Sequence, residues 1–250
     1  MMVGAFFALT FTTIAGLPFW ISIVFAIIAM AILGAILDRI VIRPLVGQPA
    51  FAIFMATIGI GVLLRSLVGM TPGWGTETHA FKTPFSDGVL TLGALMLSKV
   101  HLTIIISTVL LVGALATFFR FSRLGIAMQA TSQNQLAAAY MGVPIKHIFL
   151  LIWAISAAVA GIAGILLAPI AFVHVNMGFI GLKAFPAAVL GGFGSIPGAI
   201  IGGLIIGIVE ALAGFYLPEG FKDVAAYVVL LAVLIIRPQG IFGVSTRRRV

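Results

Sequence analysis

The 250-residue chain has no cysteine, which excludes a disulfide framework, a thiol nucleophile and a thiolate metal site together. Charge is nearly as scarce. Only 8% of the residues are Asp, Glu, Lys or Arg, against about a quarter in a soluble domain, so a water-facing globular fold is excluded as well. The six acids include no pair at a spacing suited to acid/base chemistry. His79, His101, His147 and His174 are scattered, and neither a GxxxxGK(S/T) phosphate loop nor an HExxH zinc helix occurs. Catalysis, a resident metal and a cofactor bound by this chain are therefore not expected. The opening Met1, Met2, Val3, running straight into GAFFALTF, lacks the basic region and small-residue cleavage site of a secretory signal.

Apolar sequence is what abounds, at 62% hydrophobic residues. The chain reads as an all-α, polytopic transmembrane helix bundle of about eight crossings, short or broken ones included. One domain over 1–250 is expected, with a first helical block at 1–119, a cytoplasmic segment at 120–147 and a second block at 148–250. The net charge of +8 gathers at the ends of apolar runs and in the tail Arg247, Arg248, Arg249. That placement fits topology and anionic lipid rather than nucleic acid.

In chain order, residues 4–14 form a short apolar block, and residues 19–37 are long enough to cross ~30 Å of hydrocarbon at 1.5 Å per residue. Asp38, Arg39, Arg43 and Pro44 are expected to end that helix. Residues 51–68 form the next span, with Thr57, Gly59 and Gly61 small enough for close helix contact. Arg65 near its end either snorkels to the interface or is buried in a functional role. Residues 69–99 read as a long external loop, with Lys82 and Lys99 balanced by Glu77 and Asp87. Its Trp74 and Phe81 would anchor at the headgroups or meet an outside partner. Residues 102–119 and 148–167 are further spans, the latter with the small-residue pairs Ala157/Gly161 and Ala160/Gly164.

Residues 120–147 are the long polar interruption between two membrane-grade blocks. Leu124, Ala127, Met128, Thr131, Leu136, Ala139, Tyr140 and Val143 recur at three and four, which predicts one or two short helices. Gly142 before Pro144 is a natural stop. The segment carries Arg120, Arg123 and Lys146 and no acid, so the positive-inside bias places it in the cytoplasm.

Residues 182–213 exceed one span and are interrupted by Gly191, Gly192, Gly194, Ser195, Pro197 and Gly198, which predicts two helices. Parity agrees. With residues 120–147 and the arginine tail both inside, an even number of crossings must intervene, and one unbroken helix here would make it odd. The break either lines an aqueous path or serves tight packing, since Gly194, Gly198, Gly202 and Gly203, Gly207 fall four apart. Glu210 is embedded in an apolar run and Lys183 stands at its entrance, which suits either a pathway or a structural pair.

Three stretches carry a family likeness: RFSRLGIAMQATSQNQLAAAYMGV at 120–143, KAFPAAVLGGFGSIPGAIIGGLIIGIVEAL at 183–212 and FKDVAAYVVLLAVLIIRPQGIFG at 221–243. The chain resembles the branched-chain amino acid type permease subunits of bacterial ABC importers, apparently without their N-terminal segment. Where that family often has arginines, this chain has Ile126 and Gln129.

The resemblance implies a multi-pass permease of the bacterial inner membrane, surrounded by lipid, that moves branched-chain or related small amino acids. It implies a second permease subunit, two cytoplasmic ATPase subunits holding ATP and Mg, and a periplasmic solute-binding protein. Coupling to the ATPase would fall to Arg120, Arg123, Gly125, Asn134, Ala137, Ala138 and Gly142. The translocation pathway would involve Thr57, Lys183, Phe185, Gly191, Gly192, Gly194, Ser195, Gly198 and Glu210. An ion-coupled secondary transporter or channel is the alternative, against which the scarcity of buried carboxylates argues.

Overall fold

Inside lipid no water satisfies a backbone N–H or C=O, so a chain this apolar must close its hydrogen bonds within helices. A computed structural model describes residues 1–75, 77–81, 83–84, 88–92, 95–192, 194–218, 220–237 and 239–243. Lys82, Asp87, Arg247, Arg248 and Arg249 lie outside the described residues. The helices are α1 Met2–Thr13, α2 Phe19–Leu37, α3 Arg43–Leu45, α4 Ala50–Met70, α5 Lys99–Phe121, α6 Arg123–Gln133 and α7 Gln135–Tyr140. They continue as α8 Ile145–Ala171, α9 Met177–Leu182, α10 Ala184–Gly191, α11 Ile196–Tyr216 and α12 Phe221–Ile236.

Among the described residues five helical stretches are long and apolar enough to cross a membrane: Phe19–Leu45, Phe51–Met70, Lys99–Phe121, Ile145–Ala171 and Ile196–Tyr216. Shorter apolar helices at Met2–Thr13, Met177–Gly191 and Val224–Ile236 complete an all-α polytopic bundle.

Two elements depart from the sequence expectation. The helix begun at Phe19 does not end at Leu37 but passes through a π-helical turn, Asp38–Ile42, into α3. Pro44 explains the wider turn: it offers no N–H to the Ile40 carbonyl and its ring crowds that oxygen. The π-turn changes the local frame, with Arg43 N–H bonded to Asp38 O. The loop after α4 also contains an antiparallel hairpin, β1 Val89–Leu92 and β2 Leu95–Ser98.

The chain divides into two compact units, Met1–Gly178 and Phe179–Val250. In the first, α1, α2 and α8 pack together along glycine contacts. A Cβ at Gly4 would fall 2.5 Å from the Gly161 Cα, and one at Gly161 would fall 2.8 Å from the Met30 Cγ. A Cβ at Gly34 would meet the Trp153 carbonyl and lie 2.6 Å from the Ala157 Cβ. The small-residue pair Ala157/Gly161 thus lets backbones approach, which is how helices associate without a hydrophobic driving force between them. Helices α4 and α5 instead expose apolar sides, with Phe51, Phe54, Ile58 and Val62 on one and Ile105, Val109 and Leu110 on the other.

In the second unit α10, α11 and α12 close around Leu190, Ile206 and Ala226. Gly202 sits against the Ala187 carbonyl and Gly198 against the Gly191 carbonyl, so α10 and α11 run backbone to backbone.

Candidate functional site

The polar segment is built by two side-chain caps. At the sharp corner after α5, the Ser122 hydroxyl accepts from Gly125 N–H at 2.9 Å and starts α6. Gly125 is required there, because a Cβ would lie 2.7 Å from the Phe119 Cα. Gln129 Nε2 donates back to the Phe119 carbonyl at 3.2 Å, tying α6 to the end of α5. Asn134 then leaves helical conformation, and its Oδ1 accepts from Ala137 N–H at 3.0 Å to start α7. Gly142, at φ +82, ends α7 in the left-handed conformation that L side chains resist. Pro144 stands at the entrance to α8.

These caps decide what faces out. Gly125, Met128, Thr131 and Ala138 are buried, whereas Leu136, Tyr140 and Met141 are 71%, 88% and 85% exposed. Of the predicted coupling residues, Arg120, Arg123 and Ala137 lie outward, Asn134 and Gly142 shape the turns, and Gly125 and Ala138 pack inward. The outward apolar trio was missed as a unit because the Asn134 cap resets the helical phase. The signal was present, since Asn followed by a helix-forming run is itself a helix start. Asn134→Ala is expected to weaken α7 by about 1 kcal/mol, read as faster amide exchange across residues 135–140. Asn134→Asp, which keeps the cap, should not change it.

A second polar node sits at the same end of the first unit. Arg43 Nη2 donates to the Lys146 carbonyl at 3.3 Å, joining the end of the first long helix to the start of α8. Beside it Asp38, 1% exposed, lies 3.9 Å from Arg43 Nη2.

At the opposite end of the α8 helix the loop folds back on the bundle. His79 and Val173 exchange both backbone hydrogen bonds at 2.9 Å, and Arg65 donates to the Asn176 side-chain oxygen. Trp74 Nε1 donates to Thr10 Oγ1 at 2.6 Å, and its ring stacks on Phe6 at 5.3 Å. Phe81 is buried, 6.0 Å from the Phe19 ring. Trp74 and Phe81 thus each make a contact with their own helices. An indole N–H with a hydroxyl partner and a ring surface beside it gains both contacts by folding in.

In the second unit the break is real. Gly192 and Gly194 have φ +99 and +88, and the Ser195 hydroxyl caps α11 by accepting from Gly198 N–H at 3.1 Å. The carbonyls ending α10 are satisfied from the C-terminal stretch: Ile241 N–H donates to Leu190 O at 2.9 Å and Phe242 N–H to Gly191 O at 3.1 Å. Gly191, Gly192 and Gly198 are buried in these backbone contacts, while Gly194, Gly203 and Gly207 have room on their Cβ side. Packing therefore accounts for Gly191, Gly198 and Gly202. Lys183 and Glu210 meet as an ion pair at 2.8 Å, and Phe185 is exposed on α10. Thr57 belongs to the first unit, where its hydroxyl donates to the Phe54 carbonyl at 2.8 Å.

The family described as branched-chain amino acid transport system / permease component matches residues 1–236. The chain belongs to that family. Its relatives include the high-affinity branched-chain amino acid transport system permease protein LivH of Escherichia coli (strain K12), 36% identical over 225 residues, or 87% of this chain and 72% of the relative. The corresponding BraD protein of Pseudomonas aeruginosa is 33% identical over 248 residues, covering 96% and 81%. A probable LivH of Methanocaldococcus jannaschii is 29% identical over 262 residues, covering 99% and 82%. No solved structure matches this permease. Family membership makes it a multi-pass transport component and agrees with the membrane-length helices.

Proposed function

We propose that this permease is the membrane-spanning subunit of an ATP-driven importer of branched-chain or related small amino acids in a bacterial inner membrane. A second permease subunit pairs with it, two cytoplasmic ATPase subunits carry ATP and Mg, and a periplasmic solute-binding protein delivers the substrate. The observation that carries this reading is the α6–α7 elbow. Two short capped helices are braced on α5 and α8, and Leu136, Tyr140 and Met141 are left as an uncovered apolar face on the second of them. That is a docking face for a partner that pushes, and closure of the ATPase would move it and tilt the helices on which it is braced. The break between α10 and α11, with Lys183, Phe185, Ser195 and Glu210, belongs to the translocation path in this reading.

Purified complex in proteoliposomes tests it: with the solute-binding protein outside, L-leucine uptake should require ATP trapped inside and persist when ion gradients are collapsed. Uptake that follows an ion gradient without ATP would replace this reading by secondary transport. Sidedness is testable directly, because a chain without cysteine accepts a unique probe. Gln133→Cys, at an exposed position, should be labelled by a membrane-impermeant maleimide only from the cytoplasmic side.

A further inference from the structure

The α10–α11 hairpin is closed at the end away from its turn by Lys183 Nζ and Glu210 Oε1, 2.8 Å apart. At 1.5 Å per residue, Lys183 stands about 12 Å from the turn along α10 and Glu210 about 21 Å from it along α11. Each side chain is 18% exposed, so the pair is largely withdrawn yet reachable. Apart from the ammonium, no donor among the described residues completes Glu210 Oε1. Along α11, Gly203, Gly207 and Glu210 follow at four and three, which places them on one stripe. A Cβ at Gly203 or Gly207 would meet no atom within 4 Å, so the side of α11 leading to the carboxylate is open.

Opening an ion pair in low dielectric leaves two uncompensated charges. A ligand with one charge repairs only half of that loss. An α-amino acid repairs both, because it carries an ammonium and a carboxylate on a single carbon. We propose that Lys183 and Glu210 form a zwitterion-reading site: the substrate carboxylate takes the Lys183 ammonium, its ammonium takes the Glu210 carboxylate, and its small backbone lies against the open side of α11 at Gly203 and Gly207. The proposal rests on the importer reading above and names what that path recognises. Between substrates the two side chains pair with each other, which keeps the charges compensated in the empty state.

The test is ATP-driven L-leucine uptake by the complete complex in proteoliposomes, with recovery of assembled complex measured for every variant. E210Q and K183M are expected to lose about thirtyfold in uptake, the low end of the effect of leaving one charge of a buried pair unmatched. The charge-swapped double variant K183E/E210K restores pairing within the hairpin and is expected to assemble like wild type. It presents the two poles in reverse order to a chiral substrate, so uptake should stay lost. Uptake restored by the swap, or E210Q transporting like wild type, would overturn the proposal and leave the pair as a staple of the hairpin. If the single variants fail to assemble, the swap decides alone. A wild-type complex that takes up no L-leucine with ATP would instead defeat the importer reading beneath it.

Discussion

Tyr140→Asp is expected to cut ATP-driven L-leucine uptake by about thirtyfold or more while leaving the bundle inserted and folded. Tyr140 is 88% exposed and shares its face with Leu136, 71% exposed, four residues before it. Neither side chain has an internal surface to hold, so the change costs the isolated chain little. At a docking surface the same pair would be the central apolar anchor, and losing such an anchor typically costs about 2 kcal/mol or more, which is about thirtyfold in affinity. Leu136→Asp should behave alike, and Met141→Ala more mildly. Ala138→Leu provides the contrast. Ala138 is buried under α7, so enlarging it should disturb the elbow itself and show first as faster amide exchange in residues 135–140. Co-purification of the ATPase with each variant, measured beside uptake, separates lost docking from lost local structure. Tyr140→Asp complexes that retain the ATPase and transport normally would remove the elbow from the coupling role.

Much of this architecture was legible because lipid leaves a sequence few choices. Pro18 before the run marks the start of α2, and the break between α10 and α11 follows from Gly191, Gly192, Pro197 and Gly198 occurring where a helix needs neither glycine nor proline. Gly142 and Pro144 likewise mark the end of α7. What escaped the sequence depends on partners distant in the chain. The π-turn at Asp38–Ile42 is one of several ways to accommodate Pro44, and contact between Arg43 and Lys146 belongs to the tertiary fold. The hairpin of β1 and β2 lies in a short apolar run whose periodicity does not separate strand from loop. Trp74 folds inward because Thr10 and Phe6 are there to receive it, and no local pattern encodes that. The two readings of the glycines between α10 and α11 were equal in sequence, and the backbone approach of Gly198 and Gly202 to α10 separates them from Gly203 and Gly207.

Gly34→Leu should have the largest effect on stability in the first unit. A Cβ at Gly34 points at the Trp153 carbonyl and lies 2.6 Å from the Ala157 Cβ, and both neighbours belong to α8, the helix along which α2 packs. A backbone carbonyl within a helix cannot rotate aside, so relief requires α2 and α8 to separate and take their other close contacts with them. Overpacking a well-packed core commonly costs about 1 to 3 kcal/mol, and here the obstacle is backbone, which places the variant at or beyond the top of that range. Against a total stability of about 5 to 15 kcal/mol for a typical protein, Gly34→Leu should lower the melting temperature of detergent-purified permease sharply or prevent its accumulation. Gly61→Leu and Gly113→Leu are the controls, since a Cβ there meets nothing within 4 Å. Replacing a helical glycine removes up to about 1 kcal/mol of unfavourable helix propensity, so both should melt at or above the wild-type temperature. Equal melting of all three variants would mean that the α2–α8 contact does not hold this unit together.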